Sequence, residues 1–332
     1  MNGAGGASGE REYQFRPSAL RSLFRDRPLI PLLALLAILV VASEMARPGI
    51  VTPSWVGVML RAAVPLAILA GCQTLTMLTG GIDLSVGAVA SMSGFFVATL
   101  VSGPGTPTGI VVALVIAAIA GLFTGIGVGV FRVHPLIMTL GMGLVVLGLA
   151  NAWQLVMVQA GGGTPDELRW LGSGSLMGVV PNSLLVFVPL AALILVGLRR
   201  TGYGRLLYAI GDNPIAARLS GARAWQVLVV LYTISAVMAA IAGFLLSGLT
   251  NVASVTLADS YVLPSVAAAV IGGTSIMGGR GGYAGTIVGA LILAVLSALL
   301  SSLGYPEAVR QVLFGSIIVA VAAAYTRVTG EA

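Results

Sequence analysis

Apolar residues in this chain run on without a polar face. VVALVIAAIAGLF at 111–123 is typical: no helical or strand period breaks it. A helix on the surface of a soluble domain keeps a polar side for water; a helix that is apolar all round has lipid as its solvent. Roughly 20 such residues cross a hydrocarbon core of ~30 Å at ~1.5 Å per residue. Runs of this length begin at Leu29 and continue at about 55–78, 84–102, 108–131, 135–158, 182–198, 226–249, 262–277, 283–303 and 306–326. A β-barrel would alternate apolar and polar positions, and only helices or barrels satisfy the backbone in lipid. The pattern therefore predicts an all-α, polytopic membrane helical bundle of about ten transmembrane helices.

Two segments stand apart. The stretches 84–102 and 262–277 each abut a Gly-Gly pair, at Gly80–Gly81 and Gly278–Gly279, and either one can be re-entrant. GGIDLSVGAVA (80–90) and GGTSIMGGRGG (272–282) also form a faint internal pair, as transporters with broken helices in two halves often do. GIGVGVF at 125–131 lacks nucleotide-loop spacing and lies inside a span, so it predicts close helix packing through small residues.

Composition agrees with lipid as solvent: 58% of the 332 residues are hydrophobic and 8% charged, against about 25% charged in soluble domains. The net charge is +6, and all 17 basic residues are arginine. Their positions make them topology signals, not a nucleic-acid surface. Arg11, Arg16, Arg21, Arg25 and Arg27 precede the first span; Arg132, Arg280 and Arg327 flank others; Arg199, Arg200, Arg205, Arg218 and Arg223 share one loop. The opposite loops hold only Arg47 and Arg169. The positive-inside rule places both termini in the cytoplasm. The expected organisation is a disordered cytoplasmic tail at 1–27, a transmembrane domain at 28–326 with a cytoplasmic loop at 199–225, and a short cytoplasmic tail at 327–332. The run Leu29–Ala42 resembles a signal-peptide core; the long, mixed tail before it favours a retained span.

The cytoplasmic loop carries the clearest local signal. Asn213 suits an N-cap, Pro214 the first turn and Gly221 the C′ position, so a helix is predicted over about 214–220. A helix this short needs a docking surface. Ile215, Ala216 and Leu219 give it one apolar face, with Arg218 elsewhere. Within the spans, Gln73, Thr74 and Thr76 offer hydroxyl and amide groups, and Asn151 and Gln154 share a face three residues apart; both sets fit a solute pathway or hydrogen-bonded helix packing. Asp83 either caps the helix that follows it or, with Ser85, lines or gates a pathway at its cytoplasmic end. Trp153 suits stacking on a ring-shaped solute or an interfacial anchor. Arg61 lies shallow enough to snorkel, and Glu307 and Arg310 suit an i,i+3 ion pair. His134 has no partner at metal-ligand spacing, so no metal site is expected.

Three stretches resemble a known family. LTGGIDLSVGAVASMSG (78–94), AAAVIGGTSIMGGRGGYAGTIVGALIL (267–293) and the loop YAIGDNPIAARLSGA (208–222) are similar to the permease subunits of carbohydrate ABC importers of the ribose, xylose, arabinose and galactose type. The resemblance covers most of 55–325. It implies that the loop, through Asn213, Pro214, Ile215, Ala216, Ala217, Arg218, Leu219 and Gly221, docks on an ABC ATPase subunit. It also implies a periplasmic sugar-binding protein, a second permease copy or paralogue, and a place in the bacterial inner membrane. No G-x-x-x-x-G-K-[ST] loop is present, and a chain without lysine cannot supply one. The expectation is a non-catalytic subunit with no cofactor, its ATP bound by the partner. Gln73, Thr76, Asp83, Ser85, Asn151 and Gln154 are the pathway candidates. The rival readings are a permease for branched-chain amino acids or nucleosides and an ion-coupled transporter, the latter disfavoured because mid-span acids are all but missing.

Overall fold

The computed structural model describes residues 29–100, 105–157, 163–176 and 178–329, with backbone alone from 321 onward. The tail expected at 1–27 and the last three residues lie outside the described residues. Among the described residues six helices are long and apolar enough to cross a membrane: α1 (Leu29–Ala46), α2 (Pro53–Met77), α4 (Thr106–Gly129), α5 (Pro135–Met157), α10 (Ala224–Thr250) and α12 (Tyr283–Ser302). Helices α7 (Leu184–Arg200) and α8 (Gly202–Asp212) meet at a 68° bend and make a seventh crossing if taken as one. The chain is an all-α, multi-pass membrane protein. The remaining helices are α3 (Val86–Leu100), α6 (Asp166–Gly172), α9 (Pro214–Leu219), α11 (Val262–Ile271) and α13 (Glu307–Thr329).

Local chemistry sets several of these boundaries. Thr52 Oγ1 accepts from Trp55 N at 3.1 Å and Pro53 opens α2, a cap followed by a residue with no N–H to satisfy. Glu307 and Arg310 form the expected ion pair at the start of α13. Helix α8 was not foreseen, since Gly202, Gly204 and Gly211 weaken its intrinsic propensity. Its stability comes from packing: Leu207 and Ile210 are buried against the bundle. The loop before α7 likewise holds α6 and a hairpin of two two-residue strands, β1 (Ser175–Leu176) paired antiparallel with β2 (Val180–Pro181).

Helix α10 is the axis of the bundle, packed by α2, α3, α4 and α6. Its seam with α4 is the small-residue contact that the glycine pattern predicts. Side chains added at Gly121, Gly125 and Gly129 would lie 2.5–2.9 Å from the α10 atoms Tyr232 O, Val229 Cα and Trp225 O. Close backbone approach of this kind replaces the hydrophobic effect as the glue between helices in lipid.

The two doubtful segments are both broken. Helix α3 has 15 residues and α11 has 10, about 22 and 15 Å of rise. Neither crosses ~30 Å as helix alone. Each begins well inside the bundle and its other half is irregular chain.

Candidate functional site

Irregular backbone inside a membrane must find partners within the protein or line a water-filled cavity. The two broken segments use one solution each. Between α2 and α3 the chain at 79–85 is held by Gln73. Its side-chain amide donates to Asp83 O at 2.7 Å and accepts from Asp83 N at 3.2 Å, so one side chain satisfies both main-chain groups of one residue. The Asp83 carboxylate accepts from Ser85 N at 3.1 Å and Ser85 Oγ at 2.5 Å through Oδ1. Its Oδ2 accepts from Ser235 Oγ at 2.8 Å. Ser235 lies about 16 Å along α10 from its start, near the middle of that 27-residue helix. Asp83 thus caps the α3 entrance from mid-depth, not from a span edge, and crosslinks it to α10.

The second broken segment runs from Asn251, which ends α10 in the left-handed conformation at φ 56°, to a short 3-10 turn at Asp259–Tyr261 that feeds α11. Ala258 N donates to the buried Ser91 Oγ of α3 at 2.8 Å. A side chain at Gly87 would lie 2.4 Å from Val262 Cγ2. The first turns of α3 and α11 therefore abut near mid-depth and run to opposite ends. Their positive dipole ends meet there. Unlike 79–85, this stretch is open: Asn251, Thr256, Asp259 and Ser260 are exposed on the isolated chain. The sequence reading missed it, although NVASVTLADSY (251–261) is the most polar run between two spans outside the loops.

The helix in the arginine-rich loop forms as its caps predict. Asn213 Oδ1 accepts from Ile215 N at 3.1 Å and Ala216 N at 2.9 Å, and Pro214 opens α9. At the other end Gly221 N donates to Arg218 O and Ala222 N to Ala217 O, both at 3.0 Å, with Gly221 at φ 85°. This pair of bonds is a Schellman cap, which requires a left-handed residue. Only Ala217 is buried against the bundle; Ile215 and Leu219 are 67% and 85% exposed. Ala216 and Arg218 are exposed as well, and Arg218 Nε donates to Pro214 O at 3.2 Å.

Three residues before α9 begins, the chain touches both glycine breaks at once. A side chain at Gly211 would lie 1.8 Å from Leu78 O and 2.6 Å from Gly279 N. Gly279 N itself donates to Leu78 O at 3.0 Å. A side chain at Gly278 would meet Gly211 O at 2.9 Å and Gly80 N at 3.1 Å. Three sequence-distant segments meet backbone to backbone, with no side chain between them.

The other predicted residues fall as follows. Thr76 is buried and bonds back to Cys72 O and Gln73 O in its own helix, both at 3.1 Å. Thr74 joins α2 to α12 through Thr286, Oγ1 to Oγ1 at 2.6 Å. Asn151 and Gln154 are exposed on α5. Trp153 between them is committed elsewhere: it stacks on Phe96 with centroids 5.0 Å apart and donates from Nε1 to Thr99 Oγ1 at 2.9 Å. It fastens α5 to α3. Among the described residues no group of three His, Cys, Asp or Glu side chains is arranged to hold a metal ion.

Comparison with known proteins matches this architecture to one family. Residues 56–322 fit the family described as "Branched-chain amino acid transport system / permease component". The fructose import permease of Rhizobium meliloti is 34% identical over 76% of this chain and 72% of its own length. The ribose import permease of Bacillus subtilis is 33% identical over 85% and 88%. The galactofuranose transporter permease of Escherichia coli is 34% identical over 87% of both. No solved structure matches. The matched span takes in both glycine breaks, the mid-depth helix starts and the capped loop helix, and the chain belongs to this family of transport-system permease components.

Proposed function

We infer that this chain is the membrane-spanning subunit of an ABC importer in the bacterial inner membrane. It carries a sugar handed over by a periplasmic binding protein, driven by a separate ATPase subunit that binds the ATP. The observation that carries the ATP-driven reading is α9: a rigid, doubly capped helix with Ile215 and Leu219 bare, seated through Gly211 on both glycine breaks. A bare apolar pair on a helix of six residues has no use in water unless a partner covers it. The solutes named for the similar permeases, fructose, ribose and galactofuranose, support a sugar over an amino acid.

Ten crossings with both termini cytoplasmic follow from adding α3, α11 and α13 to the seven longer crossings and from the arginines gathered at one end. The sugar passes between this chain and a second permease copy or paralogue. Exposed polar chain at 251–261 has a place there, since it must face water or protein, and the exposed Asn151 and Gln154 of α5 remain pathway candidates. Gln73, Thr76, Asp83 and Ser85 act from behind the pathway by fixing the break that starts α3.

The test is purification from native membranes in mild detergent, then reconstitution with the co-purifying subunits and uptake of labelled pentoses and hexoses. ATP-dependent sugar uptake with a stoichiometric ATPase is the expected result. Uptake driven by an ion gradient without ATP would overturn the reading. ATP-dependent uptake of leucine but no sugar would move it to the amino-acid alternative.

A further inference from the structure

The α4–α10 seam has a consequence at its arginine-rich end. Because Gly125 and Gly129 let the two backbones nearly touch, the segment after α4 and the segment before α10 are pressed together. Between them lies a cavity of about 600 Å³. Its walls include Arg132, His134, Arg218, Arg223 and Trp225, and no Asp or Glu lines it. None of these arginines forms an ion pair among the described residues. Arg132 is held at φ 56°, one of two non-glycine residues in the left-handed region among the described residues, a conformation that costs about 1–2 kcal/mol. Three unpaired guanidinium groups around one hollow repel one another, so the arrangement calls for an anion.

Two further observations say what kind. Tyr232 also lines the cavity; it is 1% exposed and its hydroxyl has no hydrogen-bond partner. A buried hydroxyl left unpaired is costly, and a bound acceptor oxygen removes that cost. Beside the cavity, Val130, Phe131, Ile137 and Val230 are exposed apolar side chains, Phe131 at 74%, and Trp225 is 48% exposed. Tryptophan next to arginine at the end of a span marks the headgroup level. A cationic hollow opening on an apolar, lipid-facing collar fits a phosphate with acyl chains attached.

We propose that the cavity between Arg132, Arg218, Arg223 and Tyr232 binds the phosphate of an anionic phospholipid, with the acyl chains along Phe131 and Val230. The site is independent of which solute is carried. Its phosphate touches the start of α10 and, through Arg218, helix α9, so the lipid joins the loop helix to the bundle.

The test places the purified permease complex in nanodiscs of phosphatidylcholine with added phosphatidylglycerol, and measures retained phosphatidylglycerol by native mass spectrometry after delipidation. Wild type is expected to keep it, and R132Q/R223Q to hold it about thirtyfold more weakly, at about a tenfold or smaller loss per arginine. R205Q, a cytoplasmic arginine outside the cavity, should behave as wild type. Y232F, which keeps the ring and removes the hydroxyl, should weaken retention several-fold even if the double variant fails to fold. Inorganic phosphate is the second probe, in phosphatidylcholine alone. Thermal protection by it matching that by phosphatidylglycerol would overturn the lipid as source. Equal retention by wild type, R132Q/R223Q and Y232F would overturn the site. Retention only when the ATPase subunit is stripped away would also overturn it, because acidic groups of that subunit would then be the anion.

Discussion

Gly211→Ala is the sharpest probe of how the loop helix reaches the bundle. The added methyl would lie 1.8 Å from Leu78 O and 2.6 Å from Gly279 N, both main-chain atoms that cannot rotate aside. Ordinary contact begins at 3.4 Å, so the backbones must part by about 1.6 Å, the difference between 3.4 and 1.8 Å. Overpacking of this kind costs about 1–3 kcal/mol, and losing the Gly279–Leu78 hydrogen bond adds about 1 kcal/mol. That is comparable to a typical coupling free energy between two sites of about 1–3 kcal/mol. The expected phenotype is therefore uncoupling: the chain inserts and assembles, basal ATP hydrolysis continues, and solute uptake per ATP falls about tenfold or more. The assay is paired uptake and ATP hydrolysis in proteoliposomes. Gly141→Ala is the control, since no atom lies within 4 Å of its added methyl. Wild-type uptake per ATP in Gly211→Ala would refute the idea that this backbone junction transmits the push.

Gln73→Leu should lower the thermal midpoint in detergent, because it strands the N–H and C=O of Asp83 at about 1–3 kcal/mol each; an unchanged midpoint would mean that the break finds other partners. Leu219→Glu, at a position 85% exposed, should leave that midpoint within about 0.5 kcal/mol of wild type yet abolish co-purification of the ATPase subunit; retained co-purification would remove Leu219 from the docking face. Gly221→Glu must hold φ 85° at about 1–2 kcal/mol, so it should insert normally and lose uptake. Asp259→Asn should keep the assembled complex and its basal ATP hydrolysis while changing the Km for solute; an unaltered Km and rate would take 251–261 out of the pathway.

The six or seven long crossings among the described residues were legible because uninterrupted apolar runs have no other stable home. Helix α9 was legible to within one residue, since Asn213, Pro214 and Gly221 are local capping signals that need no tertiary help. Its neighbour α8 was not, because burial of Leu207 and Ile210 overrides three glycines. The starts of α3 and α11 were hidden for a related reason. Where a helix begins inside a membrane depends on whether the irregular half finds partners, and those partners are Gln73 for one and Ser91 for the other. The turn in which Asp83 accepts from Ser85 N is local, but its bond to Ser235, 152 positions away, could not be read from spacing. Trp153 looked free for a ligand until Phe96 and Thr99 occupied its ring and N–H.

The junction of Leu78, Gly211 and Gly279 also limits how such a protein can diversify. Contacts made by side chains drift in pairs, a larger one on one side answered by a smaller one on the other. Here the surfaces are main chain on all sides, so no second substitution can compensate for a side chain at 211. On the docking role proposed above for α9, variation in pairing with an ATPase falls instead on Ile215, Ala216 and Leu219, the exposed face one turn further on. A docking face that can change above a backbone junction that cannot would separate the choice of motor subunit from the mechanics of the stroke.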